Sequence, residues 1–240
     1  MSTLFISDLH LDETRPDISR ALFSFLQNTA VKAEALYILG DFFEAWVGDD
    51  DQSELIDLVT LALRELSDSG VRLYIMHGNR DFLIGQQFCQ AVGATLLNDP
   101  TVIDLYGEPT LLMHGDSLCS ADQQYMQFRK ILRSPEWQQE GLSKPLEERR
   151  VIAKQLRMAS GEANSNKAED IMDVSPDDVL TALTEHQCLR LVHGHTHRPA
   201  RHPLKLEGQA AERIVLGDWD RSGWVLKADN EKLSLEEFPL

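Results

Sequence analysis

The sequence predicts an α/β protein, a two-sheet sandwich with outer helices into which a helical segment is inserted near 120–175. Three observations point there. Short β-rich runs alternate with amphipathic segments in the first part of the chain, which is the pattern of parallel strands joined by packed helices. After Gly93 closely spaced β-rich runs take over, and they return at the end of the chain. Between Ser120 and about Val174 no strand candidate occurs.

In order, the runs Thr3–Ser7, Ala35–Leu39 and Val71–Met76 read as strands, each followed at once by polar or glycine-containing sequence. Between them, Asp17–Ala30 and Gln52–Ser69 carry leucine and alanine at helical spacing. In the second, Leu55, Leu58, Val59, Ala62, Leu63 and Leu66 form one apolar stripe. Ala94–Leu97, Val102–Tyr106 and Thr110–Met113 are the next strand candidates, with a turn at Gly107 to Pro109. Cys188–Val192, Arg213–Leu216, Trp224–Lys227 and Lys232–Phe238 close the chain. Residues 1–119 and 176–240 are expected to form the core domain. The segment 120–175 is an insertion rich in Gln, Glu, Arg, Lys and Met, interrupted near Pro135 and Pro145.

Composition narrows the function. The 240 residues carry a formal net charge of −16, which argues against general nucleic-acid binding because phosphate-backbone affinity needs a basic face. Three cysteines without CxxC spacing predict a reduced, cytosolic protein with no disulfide framework. No apolar run is long enough to span a bilayer, and the N-terminus lacks the basic start of a signal peptide.

Five short motifs follow predicted strands: Asp8-Leu-His10, Gly40-Asp41, Gly78-Asn79-Arg80-Asp81, His114-Gly115-Asp116 and Gly194-His195-Thr196-His197. Strand-end loops are where α/β proteins place their sites, and glycine beside a ligand permits a close backbone approach. Each motif alone reads as an ordinary surface loop. Together Asp8, His10, Asp41, Asn79, His114, His195 and His197 supply imidazoles, two carboxylates and an amide oxygen. That set exceeds one tetrahedral zinc and suits two borderline divalent ions sharing a carboxylate, the usual clamp for displacement at phosphorus.

The order DxH, GD, GNxD, HGD, GHxH resembles the calcineurin-like metallophosphoesterase superfamily. The resemblance implies an αββα sandwich in which Asp8, His10, Asp41 and His197 hold one metal. Asp41 bridges to a second, held also by Asn79, His114 and His195. Most of that superfamily has a histidine after the asparagine, thought to protonate an alkoxide leaving group; here Arg80 stands in its place. Arginine is a poor general acid and a strong clamp for phosphoryl oxygens. A leaving group already stable as an anion needs no general acid, so the departure suggests P–O–P cleavage. Asp81 is expected to orient Arg80.

Further segments, among them GDFFEAWVGDDD (40–51), HGNRDFL (77–83), EANSNK (162–167) and HGHTHRP (193–199), resemble the family of UDP-2,3-diacylglucosamine pyrophosphohydrolases of the lipid A pathway. That resemblance implies two Mn²⁺ ions, water attack on the α-phosphorus giving UMP and 2,3-diacylglucosamine 1-phosphate, and peripheral association with the cytoplasmic face of the inner membrane. Asp41 would hold the two ions at their working separation, while Asn79 and His195 would face the phosphate as well as a metal. It also implies substrate contacts at Asn79, Arg80, Asp122, Ser160, Asn164, Lys167 and His195. Ser160, Asn164 and Lys167 stand at i, i+4 and i+7, so one helix face would present all three; without the resemblance they read as a solvated face.

The insertion is locally basic, with Arg129, Lys130, Arg133, Lys144, Arg149, Arg150, Lys154 and Arg157 in a strongly acidic chain. Tyr125, Phe128, Ile131 and Leu132 make an apolar stripe beside the first three. A basic amphipathic helix suits a membrane surface, so this stripe is expected to meet the bilayer and line an acyl-chain groove; packing onto the core is the plain alternative. His77, His186, His193, His202 and Cys119 are expected to be structural, and Trp46 either supports its loop or faces substrate. A different phosphoesterase, or a non-catalytic scaffold of the same fold, remain the alternative functions.

Overall fold

A computed structural model describes residues 2–165 and 173–240, with side chains over 159–165 left out. Sheet one has six strands in the order β11-β10-β1-β2-β3-β4: β1 (Thr3–Ile6), β2 (Ala35–Leu39), β3 (Arg72–Met76), β4 (Ala94–Leu97), β10 (Ser222–Ala228) and β11 (Leu233–Pro239). Its strands β1 to β4 run parallel, and β10 and β11 close one edge antiparallel. Sheet two has five strands in the order β5-β6-β7-β9-β8: β5 (Thr101–Leu105), β6 (Glu108–Leu112), β7 (Arg190–His193), β8 (Ala200–Leu206) and β9 (Gln209–Val215).

Period-two alternation along the strands builds the layers. From β1 and β2, Leu4, Ile6, Leu36 and Ile38 face outward onto α1 (Pro16–Asn28), α2 (Glu54–Asp68) and α3 (Gln86–Val92), meeting Leu22, Val59, Leu63 and Phe88. Phe5, Ala35, Tyr37 and Leu39 point the other way, onto Leu112, Val192 and Ile214 of sheet two. The far side of sheet two is covered by α7 (Pro176–Glu185) through Val179 and Leu183 against Leu111 and Leu191. The result is the expected αββα order, with the parallel strands β1, β2 and β3 ending at the same edge as the parallel pair β6 and β7.

The strand β8 has no counterpart among the expected strands. Its residues alternate between exposed and half-buried and include Pro203, so an edge strand there carries too weak an apolar signal to be read directly. All three cysteines are buried and outside any disulfide.

Between β6 and β7 the chain forms α4 (Gln123–Leu132), α5 (Pro135–Leu142) and α6 (Leu146–Ser165). The breaks fall at the two prolines; Ser134 caps α5 by accepting from Trp137 N. Arg129 and Arg133, two of the three cations beside the expected stripe, turn inward and are engaged by the core. Arg129 Nε donates to Asp116 Oδ2 at 2.8 Å, and Arg133 donates to Gly78 O at 2.8 Å while its guanidinium lies over the Phe82 ring. Arg149, nearly buried, donates to Val47 O at 2.6 Å and pairs with Asp50; Arg150 pairs with Asp51, and Arg157 with Glu44. Arg129, Arg149, Arg150 and Arg157 are thus counter-ions for acidic groups on the core. Of the expected stripe, Leu132 is buried and Phe128 and Ile131 are exposed, with Lys130 alone of the three cations left on the outer side.

Arg149→Ala removes the hydrogen bond to the buried Val47 carbonyl and the pair with Asp50, and should cost about 2 kcal/mol, seen as a melting temperature lower by roughly 5 °C. Lys130→Ala should leave it within about 1 °C. Equal effects in differential scanning calorimetry would contradict this account of the docking.

Candidate metal centre

The loops that leave β1, β2, β3, β6 and β7 bring the expected ligands together. Asp8, His10 and His197 form one group whose ligand atoms lie within 4.8 Å of one another; Asp41, His114 and His195 form a second. Asp41 stands between them, with Oδ2 3.9 Å from His10 Nε2 and Oδ1 3.7 Å from His114 Nε2. Asn79 joins the second group, its Oδ1 2.9 Å from His114 Nε2.

The loops are laced to each other by backbone bonds: Asp8 N donates to Gly40 O, His10 N to Asp41 O, and Gly194 N to His114 O. Close approach explains the glycines. A Cβ on Gly78 would lie 2.1 Å from Asp41 N, and one on Gly194 2.2 Å from Asp8 Oδ2. Asp8, His10, Asp41, His195 and His197 all have φ between 48° and 69°, a left-handed backbone costing about 1 kcal/mol each for such residues. So many left-handed residues at one edge mark a functional site.

Three of the four cage imidazoles turn their outer nitrogen towards an oxygen. His114 Nδ1 donates to Leu39 O at 2.9 Å, His197 Nδ1 faces Asp218 Oδ2 at 3.4 Å, and His10 Nδ1 lies 2.8 Å from Glu44 Oε2, off the line of the N–H. With Nδ1 protonated, a neutral ring presents a bare lone pair at Nε2. His10 Nε2 and His197 Nε2 then confront each other at 3.2 Å, and His114 Nε2 confronts the oxygens of Asn79 and Asp41. Lone pairs meeting with no donor between them suit a cation, and nitrogen and oxygen donors in this mix fit borderline divalent ions.

Protonation tells the same story. Burial pushes the His114 and His197 values down, but Asp41, Asp116 and Asp8 carry His114 up to about 9, and Asp218 and Asp8 carry His197 up to about 10. Burial raises Asp8, yet His197, His114 and His10 hold it well below the usual carboxylate range; burial raises Asp41. His195 falls to about 3 through burial. The remaining histidines behave as structural groups: His77 Nε2 bonds Ile84 O, His193 Nδ1 bonds Gly194 O, and neither belongs to a metal group. Burial pushes the Cys119 thiol up to about 12, which makes it inert.

Asp81 does not orient Arg80, correcting that expectation. Its carboxylate is spent on backbone, accepting from Gly78 N at 2.7 Å and Phe42 N at 2.7 Å, and so binds the Asn79 loop to the Asp41 loop. Arg80 is held by Glu44, Nη1 to Oε1 at 3.2 Å, while its backbone N donates to Asp41 Oδ1 at 2.8 Å. Glu44, which pattern reading missed, therefore touches His10, Arg80 and Arg157 together. Asp218, behind His197, was missed because it sits in no motif, whereas Asp116 stood in the His114 motif with no role assigned and here takes Tyr125 and Arg129. Asp122 caps α4 by accepting from Tyr125 N. Ser160 and Asn164 fall within the α6 backbone with side chains outside the described residues, and Lys167 lies outside them altogether.

Because His114 and His197 titrate above neutrality, cation uptake must displace their protons near pH 7, so affinity should climb as pH rises from 6 towards 9. Equilibrium dialysis of Mn²⁺ over that range checks it, and a flat profile would contradict it. Glu44→Gln keeps the shape but loosens His10, and should weaken divalent-ion binding by about tenfold or more; unchanged binding would assign Glu44 to Arg80 and Arg157 alone.

The calcineurin-like phosphoesterase model matches residues 1–199. A protein of Pseudomonas paraeruginosa named UDP-2,3-diacylglucosamine hydrolase is 57% identical over 242 residues, covering 100% of each chain. A protein of the same name from Marinobacter nauticus is 55% identical over 241 residues, covering 100% of this chain and 99% of that one. Among solved structures, an archaeal phosphodiesterase has a TM-score of 0.50 at 13% identity over the whole of both chains, a likeness of fold alone. The chain belongs to the calcineurin-like phosphoesterase family.

Proposed function

We propose that this chain is a hydrolase of lipid A synthesis that cleaves the pyrophosphate bond of UDP-2,3-diacylglucosamine, releasing UMP and 2,3-diacylglucosamine 1-phosphate. The observation that carries the reading is a two-cation cage opening beside an apolar groove, with Arg80 at the junction. The groove, about 190 Å³, runs between the core and the insertion and is lined by Trp46, Phe82, Phe128, Leu132, Trp137 and Leu156. Such walls suit acyl chains. Trp46 supports its loop through Nε1, which donates to Asp49, and its ring is part of the groove wall. The names of relatives at 55% identity and above support the same substrate.

Asp8, His10, Asp41 and His197 would hold one ion, and Asp41, Asn79, His114 and His195 the other, with manganese the metal the donor set and family resemblance favour. The ions would supply an activated water and neutralise phosphoryl charge. Arg80, fixed by Glu44, presents a permanent cation where negative charge grows on the phosphoryl oxygens; the family resemblance assigns a second to Lys167, which lies outside the described residues. Asn79 and His195 face the phosphate as well. No acid is needed for a phosphate leaving group, which is consistent with arginine where many relatives place histidine.

In this reading 1–119 and 176–240 form the catalytic core, and 120–175 is a lid that holds the sugar through Asp122, Ser160 and Asn164. No helix among the described residues is long and apolar enough to cross a membrane. Peripheral contact with the cytoplasmic face of the inner membrane instead falls to the exposed apolar side chains of the lid, Phe128, Ile131, Leu142, Val151 and Met158.

Hydrolysis in ¹⁸O-labelled water, followed by phosphorus-31 NMR, should place the label in UMP, as attack on the α-phosphorus requires. Label in the lipid phosphate would overturn that regiochemistry, and no cleavage would overturn the substrate. Arg80→Ala should lower kcat by about 10²-fold or more, with Arg80→Lys recovering only part of it.

A further inference from the structure

Helix α6 separates two cavities that share a wall but differ in chemistry. One face, through Arg149, Ile152 and Leu156, lines the apolar groove; the neighbouring face, through Arg150, Lys154 and Arg157, lines a second cavity of about 830 Å³. Helical geometry places these sets side by side, because 150, 154 and 157 follow the i, i+4, i+7 row and 149, 152 and 156 the adjacent one. Glu44, Ala45, Val47, Arg80, Ala153 and Arg157 border both spaces.

The two cavities meet the cation cage at opposite ends. The groove reaches Asn79, whereas the second cavity opens on Asp8, His10 and His197. A substrate whose diphosphate lies across the cage must therefore send its halves in different directions. Most residues lining the second cavity are polar or charged. Asp12 and Asp220 are among them, Oδ1 of each engaged by Thr14 and Arg15 respectively. Lys154 has no hydrogen-bond or ion-pair partner among the described residues, although Arg150 and Arg157 beside it are paired.

We propose that this second cavity is the subsite for the nucleoside monophosphate half of the substrate, an inference that rests on the pyrophosphate reading above. The Asp12 and Asp220 carboxylates suit the donor hydroxyls of a ribose diol. Lys154 and Arg150 suit the α-phosphate oxygens and the carbonyl acceptors of a pyrimidine base. Cleavage then leaves the nucleotide on the His10–His197 side and the acyl sugar phosphate in the groove. Each product departs by its own mouth.

Photo-crosslinking of the Mn²⁺-loaded chain with 5-iodo-UMP, followed by peptide mapping, should label 150–157 or 12–15. Lys154→Glu should raise the inhibition constant of UMP about tenfold, one such charge–phosphate contact being worth about 1.4 kcal/mol, and leave that of the acyl sugar phosphate within about twofold. Label on Trp137 or Phe82, or equal weakening of both products by Lys154→Glu, would overturn the subsite while leaving the reaction intact. Failure of the unaltered chain to form UMP from the lipid nucleotide would remove both.

Discussion

Everything in this structure turns on imidazole nitrogens aimed at one another and at carboxylate and amide oxygens, across gaps that only protons or cations can fill. Leu39 O, Glu44 and Asp218 occupy the outer nitrogens of His114, His10 and His197, and this aims the inner nitrogens at Asp41, Asn79 and each other. Such a cluster repels itself unless protons or cations fill it. At neutral pH protons compete for the space, and divalent ions are the occupants that would also perform phosphoryl chemistry. The left-handed backbone of Asp8, His10, Asp41, His195 and His197 adds to the cost, which the lacing of the loops and the Asp81 carboxylate offset.

Charge organises the second level. The core edge around the cage is acidic, through Glu44, Asp50, Asp51 and Asp116, and the helical insertion answers with Arg157, Arg149, Arg150 and Arg129. The basic patch on an acidic chain is thus a docking surface within the molecule. Glu44 joins the two levels, since it touches a cage histidine, Arg80 and an insertion arginine at once.

Much of this was legible in the residues. The seven candidate ligands were recognisable because their chemistry is short-range, each lying a few positions beyond a strand, and α/β topology brings such strand ends together. The breaks in the insertion were legible because proline acts locally. What stayed hidden depends on distant partners. Arg129 and Arg133 look like a membrane stripe until Asp116 and Gly78 O come to meet them, and Asp81 looks like a partner for Arg80 until the backbone N–H groups of Gly78 and Phe42 claim it. Glu44 and Asp218 sit in no motif. The edge strand β8 was hidden by its charged alternation.

The central claim is that one shared carboxylate joins two ion sites. Anomalous diffraction from crystals of the Mn²⁺-loaded chain tests it most directly. Two peaks are predicted, one among Asp8, His10 and His197 and one among Asn79, His114 and His195, each in contact with a different oxygen of Asp41. A single peak, or two peaks of which Asp41 touches only one, would contradict the account.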